Sequence, residues 1–209
     1  MNVRQTLSLL FALIAFGAVA RAQDISQAPE GATSRIEKVQ AEASRYMVAA
    51  ANPLAAEAGL EILREGGSAV DAAIAVQMVL GLAEPQSSGL GGGAFLIHWD
   101  EAGKAVAAFD GRETAPAAAL PARFLKPDGT PLGYDAAVRS GLSVGVPGVL
   151  RMLELAHAKH GKLPWARLFA RAIKLAREGF AMSPRLNALL RMEGAERFSA
   201  PARAIYFDA

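Results

Sequence analysis

The stretch Glu84-Pro85-Gln86-Ser87-Ser88-Gly89-Leu90-Gly91-Gly92-Gly93-Ala94-Phe95 constrains this chain more than any other. Four of the five positions from 89 to 93 are glycine. They sit between an apolar helix-like run and an apolar strand-like run. Glycine permits positive φ and close backbone approach, so the stretch reads as a tightly folded bend, not a flexible tether. A second short stretch, Asp110-Gly111-Arg112-Glu113-Thr114-Ala115-Pro116, places one arginine in a turn just past the next strand-like run. The planar fork of a guanidinium matches both oxygens of a carboxylate. Arg112 is therefore the candidate ligand-binding residue.

The elements around these stretches follow from local signals. Residues 46–51 form a short apolar run that reads as a buried strand. Asn52-Pro53 is a cap followed by proline at the first helical position, predicting a helix to about Arg64 that stops at Gly66-Gly67. Ser68 and Asp71 have capping-box spacing and open a helix to about Ala83 that is apolar nearly all round. After the bend, residues 94–99 and 104–109 flank a turn and predict a hairpin. Residues 116–133 are rich in Pro, Ala and Gly and read as irregular. Pro147 begins a helix to about His160, with Val149, Leu153 and Ala156 on one face. Pro164 begins another to Glu178, with Trp165, Leu168, Phe169, Ala172, Ile173 and Ala176 at helical spacing. Its Arg167, Arg171 and Lys174 read as a solvated face. Ser183-Pro184 opens the last helix.

Hydrophobic residues make up 52% of the 209 residues, so a targeting or membrane segment has to be considered. Residues 1–22 read as a secretory signal peptide. Arg4 precedes an apolar run from Leu7 to Ala20, and Ala20-Arg21-Ala22 gives a small-residue cleavage site. The run is short for a membrane span of roughly 20 residues; an uncleaved anchor is the alternative. Residues 23–45 are a polar linker, and residues 46–209 form the folded part. Cleavage removes Arg4 and Arg21 and no acid, so 22 basic residues become 20 against 20 acidic ones. A neutral mature chain gives no reason to expect nucleic acid or anionic lipid as a partner. There is no cysteine, which excludes disulfides, a thiol nucleophile and Cys metal sites. The expected location is the periplasm or the exterior.

Three motifs resemble catalytic or cofactor sites and fail on context. Residues 89–94 fit a dinucleotide fingerprint, but that motif follows a strand and opens a helix, the reverse of the order here. Gly141-Leu142-Ser143-Val144-Gly145 fits a nucleophile elbow, yet the only acid between Ser143 and the later histidines is Glu154, on the same short helix as both. Ser143 is read as a turn residue. His157 and His160 lie one turn apart with no supporting carboxylate pattern, and read as a surface pair with no metal. No cofactor is expected.

Three segments together resemble the γ-glutamyltransferase (glutathione hydrolase) family: Pro85 to Gly93, Arg112 to Pro116, and Ser143-Val144-Gly145-Val146-Pro147-Gly148. Ala51 to Ala55 and Gly66 to Ala73 also resemble that family's first helices, so the similarity runs over about residues 46–192. Ala94 stands where many relatives carry a fourth glycine. The resemblance implies an α+β fold, the αββα sandwich of N-terminal-nucleophile hydrolases, present here as an incomplete N-terminal portion of the large subunit. It implies a precursor that cuts itself, and a small subunit that begins with a nucleophilic Thr whose own amino group is the base. That Thr is expected outside this chain, so no catalytic residue is assigned within it. Arg112 matches the family arginine that binds the α-carboxylate of the γ-glutamyl group; a structural ion pair, for instance with Asp110, is the alternative. The implied substrate is a γ-glutamyl compound such as glutathione, the implied partner the small-subunit segment of the same precursor. A non-catalytic binding module of the same fold, or a cephalosporin-acylase-type amidohydrolase, would share these features.

Overall fold

A computed structural model describes residues 40–207. The signal peptide expected at 1–22 and the linker up to residue 39 lie outside the described residues.

Helix α1 (Pro53–Arg64) begins as expected: the Asn52 side chain accepts from the Leu54 N–H at 3.0 Å and Pro53 takes the first position. It ends before Gly66, whose φ of 90° is left-handed and suits glycine. Helix α2 (Ala69–Ala83) starts with a reciprocal capping box between Ser68 and Asp71. The two helices pack closely. A Cβ on Gly59 of α1 would lie 2.7 Å from Val76 Cγ2 of α2. Helix α2 is surrounded by α1, by α4 (Val149–His160), by a 3₁₀ turn at Trp165–Phe169 and by α5 (Ala170–Glu178). Ile74, Val79, Val149 and Leu168 are fully buried there. An apolar-all-round helix thus becomes the centre of the core.

Strands β1 (Phe95–Asp100) and β2 (Ala105–Asp110) form the expected antiparallel hairpin, with Phe95 opposite Asp110 and Trp99 opposite Val106. One face packs on the helices through Leu96 and Phe109. The other is bare: Phe95, Ile97, Trp99 and Val106 are 67%, 77%, 51% and 64% exposed. Further helices are α3 (Tyr134–Val138), α6 (Pro184–Glu193) and α7 (Ala200–Tyr206), with 3₁₀ turns at Pro121–Phe124, Gly141–Ser143 and Ala195–Arg197. In the turn before Thr130, the Thr130 hydroxyl and N–H both donate to Asp128 and hold its carboxyl below the usual range.

Several expectations need correction. Residues 46–51 are not a strand: they alternate between half-buried and exposed, but join no sheet among the described residues. A strand requires a neighbour's ladder, and composition alone cannot supply one. Helix α6 is not the last, since α7 follows the Gly194 turn. The helix expected from Pro164 begins as the 3₁₀ turn at Trp165–Phe169. Winding at three residues per turn over that stretch rotates the later positions by about 100°. Ile173 is consequently 46% exposed, while Leu175 packs on the core.

The basic stripe is not simply solvated. Arg167 Nε donates to Glu65 at 2.8 Å, and Arg171 reaches Glu61 and Glu57 at 3.1 and 3.2 Å, clasping α5 to α1. The Glu65 hydrogen bond raises the Arg167 pKa. The histidines are not a surface pair either. His157 Nε2 lies 2.9 Å from Leu163 O and 3.5 Å from the Asp71 carboxylate. The His160 ring packs against that of His98 on β1, with centroids 4.3 Å apart and planes tilted by 42°.

Candidate functional site

The glycine bend is anchored at its base by a buried carboxylate. Glu84, 3% exposed, accepts from Asn52 Nδ2 at 2.8 Å and from Gln86 Nε2 at 2.6 Å, while its main-chain carbonyl accepts from the Ser87 and Ser88 N–H groups. Gln77 of α2 donates to the Ser88 hydroxyl at 2.8 Å. The Glu84 bonds are charge-assisted and hold geometry well; with the neutral Gln77 bond they fix the bend both to the start of α1 and to the middle of α2.

Its far end meets two other segments. The Ala94 and Gly111 backbones exchange hydrogen bonds, continuing the hairpin ladder past Phe95. The Gly148 and Val149 N–H groups both donate to Gly92 O at 3.2 Å, and Thr114 pairs with Val146. Three stretches far apart in sequence are thereby stitched together: 89–94, 110–116 and 144–149. They can lie this close only because the contact points carry no side chain. A Cβ on Gly93 would sit 2.5 Å from Glu113 Oε2 and 2.7 Å from Gly111 O; one on Gly148 would sit 2.5 Å from Gly111 O. None of the four bend glycines takes a left-handed φ; the positive-φ glycines among the described residues lie elsewhere. Close approach, not unusual backbone, is what the site needs from Gly93 and Gly148.

At this junction lies a cavity of about 540 Å³, lined by Gly91, Arg112, Glu113, Thr114, Arg123, Phe124 and Ser143, among others. Arg112 therefore borders a cavity beside the bend. Its backbone N–H donates to Asp110 at 2.9 Å, which fixes the turn. Its guanidinium lies 3.0 Å from Glu113, not from Asp110. Glu113 has no counterpart in the candidate list drawn from sequence. Its Oε2, the oxygen that faces the Arg112 guanidinium, is buried, and the residue lines both this cavity and a second of about 420 Å³ bordered by Pro85, Ser87, Ser88 and Gly89. The signal that could have found it is a carboxylate adjacent to the arginine with a run of bare glycines to pack beneath. A guanidinium and a carboxylate side by side offer complementary charges to the carboxylate and ammonium of a free α-amino acid end.

The Ser143 hydroxyl donates to main-chain carbonyls at 3.0 Å and has no imidazole beside it. Its role as a turn residue agrees with the failed triad. Among the described residues, no three His, Asp, Glu or Cys side chains gather to hold a metal ion. No helix among them is long and apolar enough to cross a membrane.

Comparison with known proteins bears directly on this junction. Residues 55–208 match the family model for gamma-glutamyltranspeptidase. The glutathione hydrolase proenzyme of Bacillus subtilis is 45% identical over 134 residues, 64% of this chain and 23% of that protein. The crystal structure of Helicobacter pylori gamma-glutamyltranspeptidase superposes with a TM-score of 0.73 at 32% identity, covering 79% of this chain and 47% of that one. The cephalosporin acylase of Bacillus halodurans superposes at 0.58 with 27% identity, over 84% of this chain and 34% of that one. The chain spans about a quarter of the length of the curated relatives it matches.

Proposed function

Because the chain belongs to the γ-glutamyltranspeptidase family and carries part of the N-terminal-nucleophile hydrolase fold, we propose that it forms one wall of a γ-glutamyl pocket. The enzyme is an exported, periplasmic or secreted one that cleaves the γ-glutamyl amide of glutathione. The observation that carries this reading is Arg112 lining the cavity beside the glycine bend. The α-carboxylate of the γ-glutamyl group lies against the Arg112 guanidinium, and its α-ammonium faces Glu113. The attacking group is a threonine hydroxyl at the start of a small-subunit segment of the same precursor. Its proton passes to the threonine's own amino group as the oxygen attacks the γ-carbonyl. The amine leaves carrying that proton, and water or an amino acid takes the γ-glutamyl group from the ester. The acylase likeness shows that this fold serves other amides, so the substrate has to be argued from the site and not from the fold.

The test is Arg112→Gln and Arg112→Lys in the whole protein with whatever polypeptide completes it, assayed on γ-glutamyl-4-nitroanilide. Loss of a charge-assisted bidentate contact lowers kcat/KM by about 100-fold for Gln, with KM rising, and Lys recovers only part of it. Unchanged kinetics for Arg112→Gln, or turnover of acyl-lactams with none of the γ-glutamyl anilide, overturns the proposal.

A further inference from the structure

The cavity beside the bend holds a second guanidinium that the γ-glutamyl reading leaves unused. Arg123, half-buried in the 3₁₀ turn Pro121–Phe124, lines the same space as Arg112. The two differ in how their charge is met. Arg112 has Glu113 at 3.0 Å. Arg123 Nε donates to Leu142 O at 2.6 Å, and Nη2 to Gly141 O at 3.4 Å. Those carbonyls fix the plane of the guanidinium without neutralising it. No carboxylate among the described residues forms an ion pair with it, whereas Arg167, Arg171 and Arg197 all have one. The side chains lining the cavity thus bring two guanidinium groups and one carboxylate. A γ-glutamyl end, with one carboxylate and one ammonium, balances Arg112 and Glu113 and leaves Arg123 over. At about 540 Å³ the cavity has room for more than one amino acid. Phe124 and Leu142 line the same cavity, each still partly open to solvent at 41% and 39% exposure.

We propose that Arg123 is a specificity-determining residue that receives a second carboxylate, the one carried by the amine half of a γ-glutamyl donor. This rests on the γ-glutamyl reading of the same cavity. It makes the preferred donors γ-glutamyl amino acids and peptides, whose departing amine is itself an acid, over γ-glutamyl derivatives of neutral amines.

A matched pair of chromogenic donors tests it: γ-glutamyl-4-nitroanilide and its 3-carboxy derivative, which differ by one carboxylate on the leaving amine. In the whole protein, Arg123→Gln lowers kcat/KM for the carboxylated donor by about tenfold, through KM, as expected for one lost charge-assisted contact. Turnover of the uncharged donor stays within about twofold, since a merely structural role for Arg123 would move both donors alike. Arg123→Lys restores part of the preference. An equal loss on both donors, or no change on either, overturns the Arg123 proposal while leaving the γ-glutamyl reading standing. No turnover of either donor by the unsubstituted protein overturns both.

Discussion

At Gly93 the density of the fold is set by the absence of one methyl group. A Cβ there meets Glu113 Oε2 at 2.5 Å, Gly111 O at 2.7 Å and Arg112 Cα at 2.8 Å. Two of these are backbone atoms, which cannot swing aside. Gly93→Ala is expected to cost about 1–3 kcal/mol, as overpacking does. It should also reduce activity on γ-glutamyl donors, because the turn that carries Arg112 has to shift. Gly89 and Gly91 meet nothing within 4 Å, so alanine at either is expected to change stability by no more than about 0.5 kcal/mol. Chemical denaturation of the three variants checks the contrast, and equal effects at all three positions contradict it. The run of glycines was legible as a bend; which of them the packing needs was not, because that depends on 111–113 and 148 arriving from elsewhere. Arg112 was legible for a similar reason, as a fork at a strand end. Glu113 was not, since its buried oxygen is a product of the same packing.

Helix ends were written locally and could be read locally: Asn52-Pro53 and Ser68 with Asp71 cap the elements the sequence assigns to them. What one element brings to another was invisible. Asp71 is the sharpest case. Sequence shows a capping box, but its Oδ2 also accepts the Lys162 and Leu163 N–H groups at 2.9 and 3.1 Å, and its other oxygen faces His157. The carboxylate is fully buried, so it joins the start of α2 to the loop after α4. Asp71→Ala strands three buried or half-buried donors and is expected to cost about 3–5 kcal/mol. Arg167→Ala removes the clasp between the 3₁₀ turn and Glu65, where both side chains are over a third exposed. That loss is expected to stay below about 1 kcal/mol and to shrink further in high salt. Urea denaturation at two ionic strengths separates the cases: the Asp71 effect holds with salt, the Arg167 effect fades. The failure of the 46–51 strand has the same origin as the misread histidines. Composition reports a segment's preference, and pairing requires a second segment at the right distance.

For the molecule as a whole the decisive feature is the bare face of the hairpin. Phe95, Ile97, Trp99 and Val106 lie together on it, each more than half exposed, while the opposite face is packed on helices. Neighbouring apolar side chains on one strand face form a contiguous patch of the kind that marks an interface, and a two-stranded hairpin leaves both its edges unpaired. An αββα sandwich buries such a face against a second sheet, and the described residues contain no other sheet. Produced by itself, the chain from residue 23 onward is therefore expected to self-associate. Light scattering coupled to size exclusion should show species larger than one chain. Thr at both Ile97 and Trp99 keeps β-propensity while removing most of the apolar surface; it should reduce that association without changing the helical circular-dichroism signal. If the proposed remainder of the precursor carries the covering sheet, co-expression with it should reduce the association of the unsubstituted chain. A monodisperse monomer that melts in a single cooperative transition without any partner would show that the face is stable in water. The sandwich interface, and with it the assembly of the γ-glutamyl pocket from two segments, would then have to be abandoned.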